Sequence, residues 1–373
     1  MKASVQSIFS HMVDKYGEGY IEEACDNKKR TKVFKDILVC RTKENGFHSD
    51  GCDICGNTTI HYNSCKNPCC PKCQATERNL WVDRQKHYSL NIKYFHIVFT
   101  VPEALNRYFI ISPYFMYKTL FKASSKTLMN LSRRKKYLNA KIGVTAVLHT
   151  WGQNLSLHPH IHCIVTGGGL TKDNKWINSN GDFFLPIKVM SSVFKGIFMK
   201  EFTEYFKGTY HDNEEFSYVK ELAYAKDWVV YAKKPFDNPD SVIEYLGRYT
   251  HRIAISNARI VSHSDGKVTF KYKDYKDGDK IKEMTLDEEE FVRRFLMHVP
   301  PSGIGKIRHY GILGNRNKDE RFKLLRELTE TADPGEYTRD LVKIIKSMTG
   351  VDIRVCPVCR RFKRIELPYH RKE

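Results

Sequence analysis

The sequence predicts an α+β protein: a mixed core whose sheet is antiparallel rather than doubly wound, a cysteine-rich metal module in front, and a helical C-terminal region behind. Three observations carry this. Helical and β-rich runs are intermixed, and two β-rich runs are joined by a polar turn too short for a crossover helix. Of the eleven cysteines, eight fall between residues 25 and 73. No internal repeat or low-complexity tract interrupts the 373 residues, which suffice for two or three domains.

Taken in order, residues 1 to about 45 read as helical and then charged, and residues 46–75 hold the cysteine knot. ATERNLWVDRQKHYSL follows as a helix, with Leu80, Trp81 and Tyr88 on its packing side. KYFHIVFTVPE (93–103) reads as a strand stopped by Pro102, and KIGVTAVLHT (141–150) as a second. Between them lies a basic helical region containing SRRKKY. HIHCIVTGG (160–168) is a third strand, and WGQNLSLHP makes it the antiparallel neighbour of the second. A helix near 187–206, a strand at 227–232, a helix near 239–249 and strands near 252–256 and 267–273 come next. DEEEFVRRFLMHV (287–299) is amphipathic, and two more helices precede a terminal CPVC. These patterns divide the chain into 1–90, 91–285 and 286–373.

A formal charge of +19 and a pI near 9.3 ask for a polyanionic partner, because that much like charge otherwise repels itself. Nucleic acid is the first candidate and a membrane surface the second. The chain has no uninterrupted apolar run long enough to span a bilayer, and its N-terminus has no secretory h-region. An intracellular, cytoplasmic and nucleoid-associated protein is expected, so the cysteines are read as metal ligands rather than disulfides.

Cys52 and Cys55 form one CxxC and Cys70 and Cys73 another, a pattern that predicts a tetrahedral site of two knuckles. Four soft thiolates select zinc. Cys65, Cys69, Cys40, His48 and His61 remain nearby for a second site. Cys356 and Cys359 are a lone CxxC that could complete a site with those leftovers, and that long-range pairing is the weaker option.

His158, His160 and His162 alternate in LHPHIHCIVTGGG, so on a strand they share a face. His158 precedes Pro159 in the turn, which leaves His160 and His162, roughly 7 Å apart along the strand, as the chelating pair. A third ligand should come from the neighbouring strand: His149, with Gln153 as the fallback. Plain sheet histidines are the bland alternative. Gly167, Gly168 and Gly169 after them allow a turn or the close approach of another backbone. In SVIEYLGRYTHRIAIS, Tyr245 and Tyr249 lie four apart, on one face if the segment is helical, although Gly247 weakens that helix and such a pair is commonly a packed stripe. A phenol can attack a phosphodiester when an ion polarises a non-bridging oxygen, and the resulting phosphotyrosine keeps the energy needed for rejoining.

HPHIH with the downstream YLGRY resembles the HUH endonuclease superfamily and, within it, the two-tyrosine transposases of rolling-circle insertion sequences, the IS91-like group. SCKNPCCPKCQ is similar to that group's zinc-binding module, and WVVYAKKPF, YLGRYTHRIAISN, VTFKYKDY and IRHYGILGNRN resemble its later blocks in the same order. The resemblance implies His160 and His162 as metal ligands and Tyr245 and Tyr249 as nucleophiles. It also implies a ferredoxin-like HUH sheet with the tyrosine helix packed across it, and Mg²⁺ or Mn²⁺ at the site. Three imidazoles would by themselves favour zinc, which conflicts with that implication; the resemblance is followed for the active metal, with ready acceptance of Mn²⁺ expected. Cys69 stands where that group commonly has histidine, which makes Cys69 a further expected zinc ligand.

The reading is therefore a transposase that nicks and rejoins single-stranded or melted DNA. Arg133, Arg134, Lys135 and Lys136, with Lys233, Lys234, Arg248 and Arg252, are the expected phosphate contacts, and Tyr94 and Phe95 the expected base-stacking aromatics. An HUH replication initiator and a non-catalytic zinc-dependent DNA-binding regulator are the alternatives.

Overall fold

The computed structural model describes residues 3–180, 185–210, 213–236, 239–250, 254–275, 277–362 and 365–366. The chain opens with helices α1 (Val5–Tyr16), α2 (Tyr20–Ala24) and α3 (Lys28–Leu38). Ser4 and Ser7 close a capping box on α1, and Asn27 accepts from the first-turn N–H groups of α3. Strands β1 (Phe47–Gly51) and β2 (Thr58–Tyr62) then precede α4 (Gln74–His87). After β3 (Tyr94–Thr100) come α5 (Asn106–Ile111) and α6 (Pro113–Ser132), β4 (Lys141–Trp151), β5 (Leu157–Leu170) and β6 (Trp176–Asn178). Next are α7 (Ile187–Tyr210), α8 (Glu214–Ala225), β7 (Val230–Phe236) and α9 (Pro239–Thr250). The remainder comprises β8 (Ile260–Ser264), β9 (Lys267–Asp274), β10 (Lys280–Asp287), α10 (Glu288–Met297), β11 (Ile307–Gly311), α11 (Lys318–Leu328), α12 (Leu341–Thr349) and β12 (Ile365–Glu366).

The mixed α+β architecture follows the expectation. The central sheet runs β11-β4-β5-β3-β7 with β6 beside β5, and every pairing is antiparallel. Two three-stranded antiparallel sheets, β12-β1-β2 and β10-β9-β8, stand apart from it. Alternation divides the central strands by face. Phe95, Ile97 and Phe99 of β3, with Ile161, Cys163 and Val165 of β5, bury against an aromatic layer that includes Phe109, Phe194, Phe198 and Phe202 of α5 and α7. On the other face, Tyr94, Val147 and Ile164 pack with Val242 and Ile243 of α9 and Phe322 and Leu325 of α11. This second face carries the histidines.

A further core joins α1 and α3 to β8, β9 and α10: Phe9 stacks on Phe34 at 4.1 Å and meets Phe295 edge-on at 5.5 Å. Among the described residues no helix is long and apolar enough to cross a membrane.

Several local expectations are corrected. Residues 254–256 are not a strand, residues 251–253 lie outside the described ones, and the sheet resumes at β8. Arg133, Arg134, Lys135 and Lys136 are not helical, because α6 ends at Ser132 and they form the exposed turn into β4. The C-terminal segment is not purely helical: β11 completes an edge of the central sheet, and α10 belongs to the core of the N-terminal helices. Of the two roles open to Gly167, Gly168 and Gly169, the structure has the close approach of backbone and not the turn: they are buried within β5. A Cβ at those positions would stand 2.6 Å from the Lys93 carbonyl, 2.5 Å from the Trp176 ring and 2.9 Å from the Lys141 carbonyl, so the three residues serve close approach by β3, β6 and β4.

Candidate active site and metal centres

The β4–β5 register sets His149 opposite His160, and two residues along β5 His162 stands opposite Val147. All three side chains therefore fall on one face, and a ligand atom from each lies within 4.8 Å of the others. His160 Nδ1 donates to the His158 carbonyl at 2.7 Å, which fixes the neutral tautomer with its lone pair on Nε2. Burial pushes His160 down to about 4, so at neutral pH it is an uncharged imidazole able to coordinate an ion rather than a cation. Trp151 stacks on His149 at 4.7 Å and holds that ring in place. Such a set suits a divalent ion. Gln153, the fallback, instead donates to the Tyr275 hydroxyl at 3.2 Å.

A fourth histidine, not singled out in the sequence, completes the arrangement. His96 on β3 hydrogen-bonds through Nε2 to His162 Nδ1 at 2.8 Å, and the two rings are nearly parallel. Burial, and then the charge of Lys233, keeps His96 neutral with a pKa near 4. Its signal in the sequence was a histidine on the same-face alternation of the strand that β5 pairs with. The Tyr245 ring meets His96 edge-on at 5.1 Å, and Lys233 Nζ lies over that ring at 5.1 Å. Tyr245 of α9 thus borders the histidine cluster directly.

Tyr249 and Arg248 occupy positions on α9 and Lys234 a position on β7, but their side chains lie outside the described residues, as does Arg252 altogether. Arg133 to Lys136 enter β4 at its start, whereas His149 is eight residues further on, roughly 26 Å at the rise of a strand. They are remote from the triad, whereas Lys233 stands opposite His96 across β3 and β7. Tyr94 and Phe95 are buried core residues with no face for a base, because β3 is central in the sheet.

The cysteines assort differently from the local reading. Cys40, Cys65, Cys70 and Cys73 form one group and Cys52, Cys55, Cys356 and Cys359 another. The two N-terminal CxxC pairs therefore belong to different groups, and the terminal CPVC supplies half of the second. Separations of 3.6–3.7 Å between sulfurs in both groups match the roughly 3.8 Å edge of a tetrahedral zinc thiolate with bonds of about 2.3 Å. Cys40, hydrogen-bonded by Cys65, Cys70 and Cys73, is held far below the usual thiol range, while the same contacts push Cys65 far up. Four thiols this close resist ionising together until a cation compensates them.

Cys69 belongs to neither group. Its backbone N–H bonds to Asn67 Oδ1 at 2.8 Å, and its side chain joins the core near Trp151 and Val299. Cys70, and not Cys69, lies with Cys40, Cys65 and Cys73. His48 and His61 face each other across β1 and β2 and are likewise outside both groups.

Residues 143–321 match a family model described as a putative transposase, and residues 12–101 match a transposase zinc-binding domain. The chain is 40% identical over 373 residues to a putative transposase, y4qJ, of Sinorhizobium fredii, covering 95% of this chain and 93% of that one. It is 24% identical over 342 residues to the transposase for insertion sequence element IS801 of Pseudomonas savastanoi pv. phaseolicola, covering 87% and 80% of the two chains. No solved structure matches it. The zinc-binding domain and the cysteine groups support structural Zn²⁺. This degree of similarity along nearly the whole length shows that the chain belongs to the IS91-like transposases with an N-terminal zinc-binding domain.

Proposed function

We propose that this transposase cleaves and rejoins single-stranded or locally melted DNA at the ends of its element through 5′-phosphotyrosine bonds, in rolling-circle fashion, on an HUH-type core. Tyr245 and Tyr249 are the nucleophiles, and His149, His160 and His162 hold Mg²⁺ or Mn²⁺. The observation that carries this is the chain of contacts from the triad through His162 and His96 to the Tyr245 ring.

A divalent ion bound by the triad would polarise a non-bridging phosphate oxygen. The Tyr245 phenol oxygen attacks phosphorus, the bond to the 3′-oxygen breaks, and the phenolic proton ends, net, on that 3′-hydroxyl. A 3′-hydroxyl from another end reverses the step, so rejoining needs no external energy source. Lys233 steadies a backbone phosphate beside the tyrosine, and Lys234, Arg248 and Arg252 are proposed as further phosphate contacts. The division into a DNA-recognising zinc module (1–90), a nuclease core (91–285) and a C-terminal region (286–373) is part of the same reading. Each tetrathiolate group holds one Zn²⁺.

The test is a denaturing gel of full-length protein with end-labelled single-stranded DNA covering the element's flanks, in Mn²⁺. Label should migrate with the wild-type protein, vanish with His160→Ala, and vanish with Tyr245→Phe, Tyr249→Phe or both. Tight binding without an adduct would instead favour a non-catalytic regulator, and released ends without attached protein would indicate plain hydrolysis.

A further inference from the structure

We propose that His11, His263 and Glu288 form a site for one divalent cation of the zinc class, separate from the thiolate groups and from the histidine triad. The three residues come from α1, β8 and α10, so no local spacing announces them. His263 Nε2 lies 2.9 Å and His11 Nε2 3.4 Å from Glu288 Oε2, and one ligand atom from each residue lies within 4.8 Å of the others. Ligands at about 2.0–2.1 Å around a tetrahedral ion stand roughly 3.3 Å apart, which these distances bracket.

Glu288 is 2% exposed, and a carboxylate so enclosed must be compensated. Lys15 Nζ does this at Oε1, 2.7 Å away, leaving Oε2 turned toward both imidazoles. Lys15 is thus the outer partner that orients a ligating carboxylate. The imidazole rings approach edge-on, 4.9 Å between centres. Two imidazoles and one carboxylate favour zinc, cobalt or nickel over magnesium or calcium. His11 is exposed and gives the ion a path from solvent, with water completing the fourth position. An ion here would tie α1 to β8 and α10, elements that already share a core.

The experiment titrates Co²⁺ and Zn²⁺ into full-length zinc-loaded protein carrying His160→Ala, which removes the triad from every arm and makes the outcome independent of the strand-transfer reading. One added Co²⁺ should give visible d–d bands without new thiolate-to-cobalt charge transfer, and added Zn²⁺ should raise the melting temperature. His11→Ala in that background, at an exposed position, should weaken this binding more than about tenfold and abolish the thermal shift. His263→Ala should do the same. No added equivalent, or equal binding with both histidines replaced, would overturn the proposal and leave an ion-pair network around Glu288.

Discussion

In the proposed site, His96 would be a buried imidazole that acts through a ligand without touching substrate. Its bond to His162 Nδ1 would leave Nε2 of His162 to face an ion held by the proposed triad, and partners of this kind change metal affinity by about 10–100-fold. His96→Ala should therefore raise the half-saturating Mn²⁺ for adduct formation by that factor, with partial recovery in His96→Gln; an unchanged Mn²⁺ requirement would remove His96 from the site. His298 makes a different statement. Its Nε2 donates to the Leu155 carbonyl at 3.1 Å and its Nδ1 accepts from Thr150 Oγ1 at 3.2 Å, and burial pushes its pKa down to about 4. The unfolded chain takes up that proton near pH 6.5, so the stability due to neutral His298 is complete above 6.5 and is lost as pH falls toward 4. By pH 5 the loss is about 2 kcal/mol. Urea midpoints at pH 7 and pH 5 should differ less in His298→Gln than in wild type.

At the scale of elements, the decisive packing is α4 against α9. A Cβ on Gly247 would stand 2.3 Å from Val82 Cγ2, so the glycine that weakens the tyrosine helix is what lets the two helices cross closely. Gly247→Ala would gain about 1 kcal/mol in helix propensity and lose about 1–3 kcal/mol to overpacking. Net destabilisation and a smaller yield of the Tyr245 adduct are expected, and Val82→Ala should restore both. If Gly247→Ala stabilises the protein, the close crossing is not a constraint. Because Cys73 sits at the N-cap of α4, the same helix connects the first thiolate group to the tyrosine helix.

Across the whole molecule, the second thiolate group joins residues 52 and 55 to residues 356 and 359, so the zinc-binding region is completed from the far end of the chain. β12 pairs with β1 beside it. Cys356→Ser should reduce the zinc released by a thiol-modifying reagent from two equivalents to one, whereas Cys69→Ser should leave it at two. Equal loss in both variants would contradict this partition of ligands.

Local chemistry was legible in the sequence because it depends on short spacings. The alternating histidines, the turn that returns β5 onto β4, and the helical i, i+4 tyrosines all follow from the periods of strand and helix. The α+β class and the antiparallel hairpin followed from the same patterns. Tertiary structure decided what spacing cannot encode: which thiolates share an ion, that His96 on a third strand reaches His162, and that His11, His263 and Glu288 meet. A CxxC turn aims two sulfurs at one point but says nothing of the other two, because their arrival depends on the packing of whole elements. The glycines of β5 make the same point: their sequence permits a turn or the close approach of another backbone, and only the neighbouring strands decide for the second.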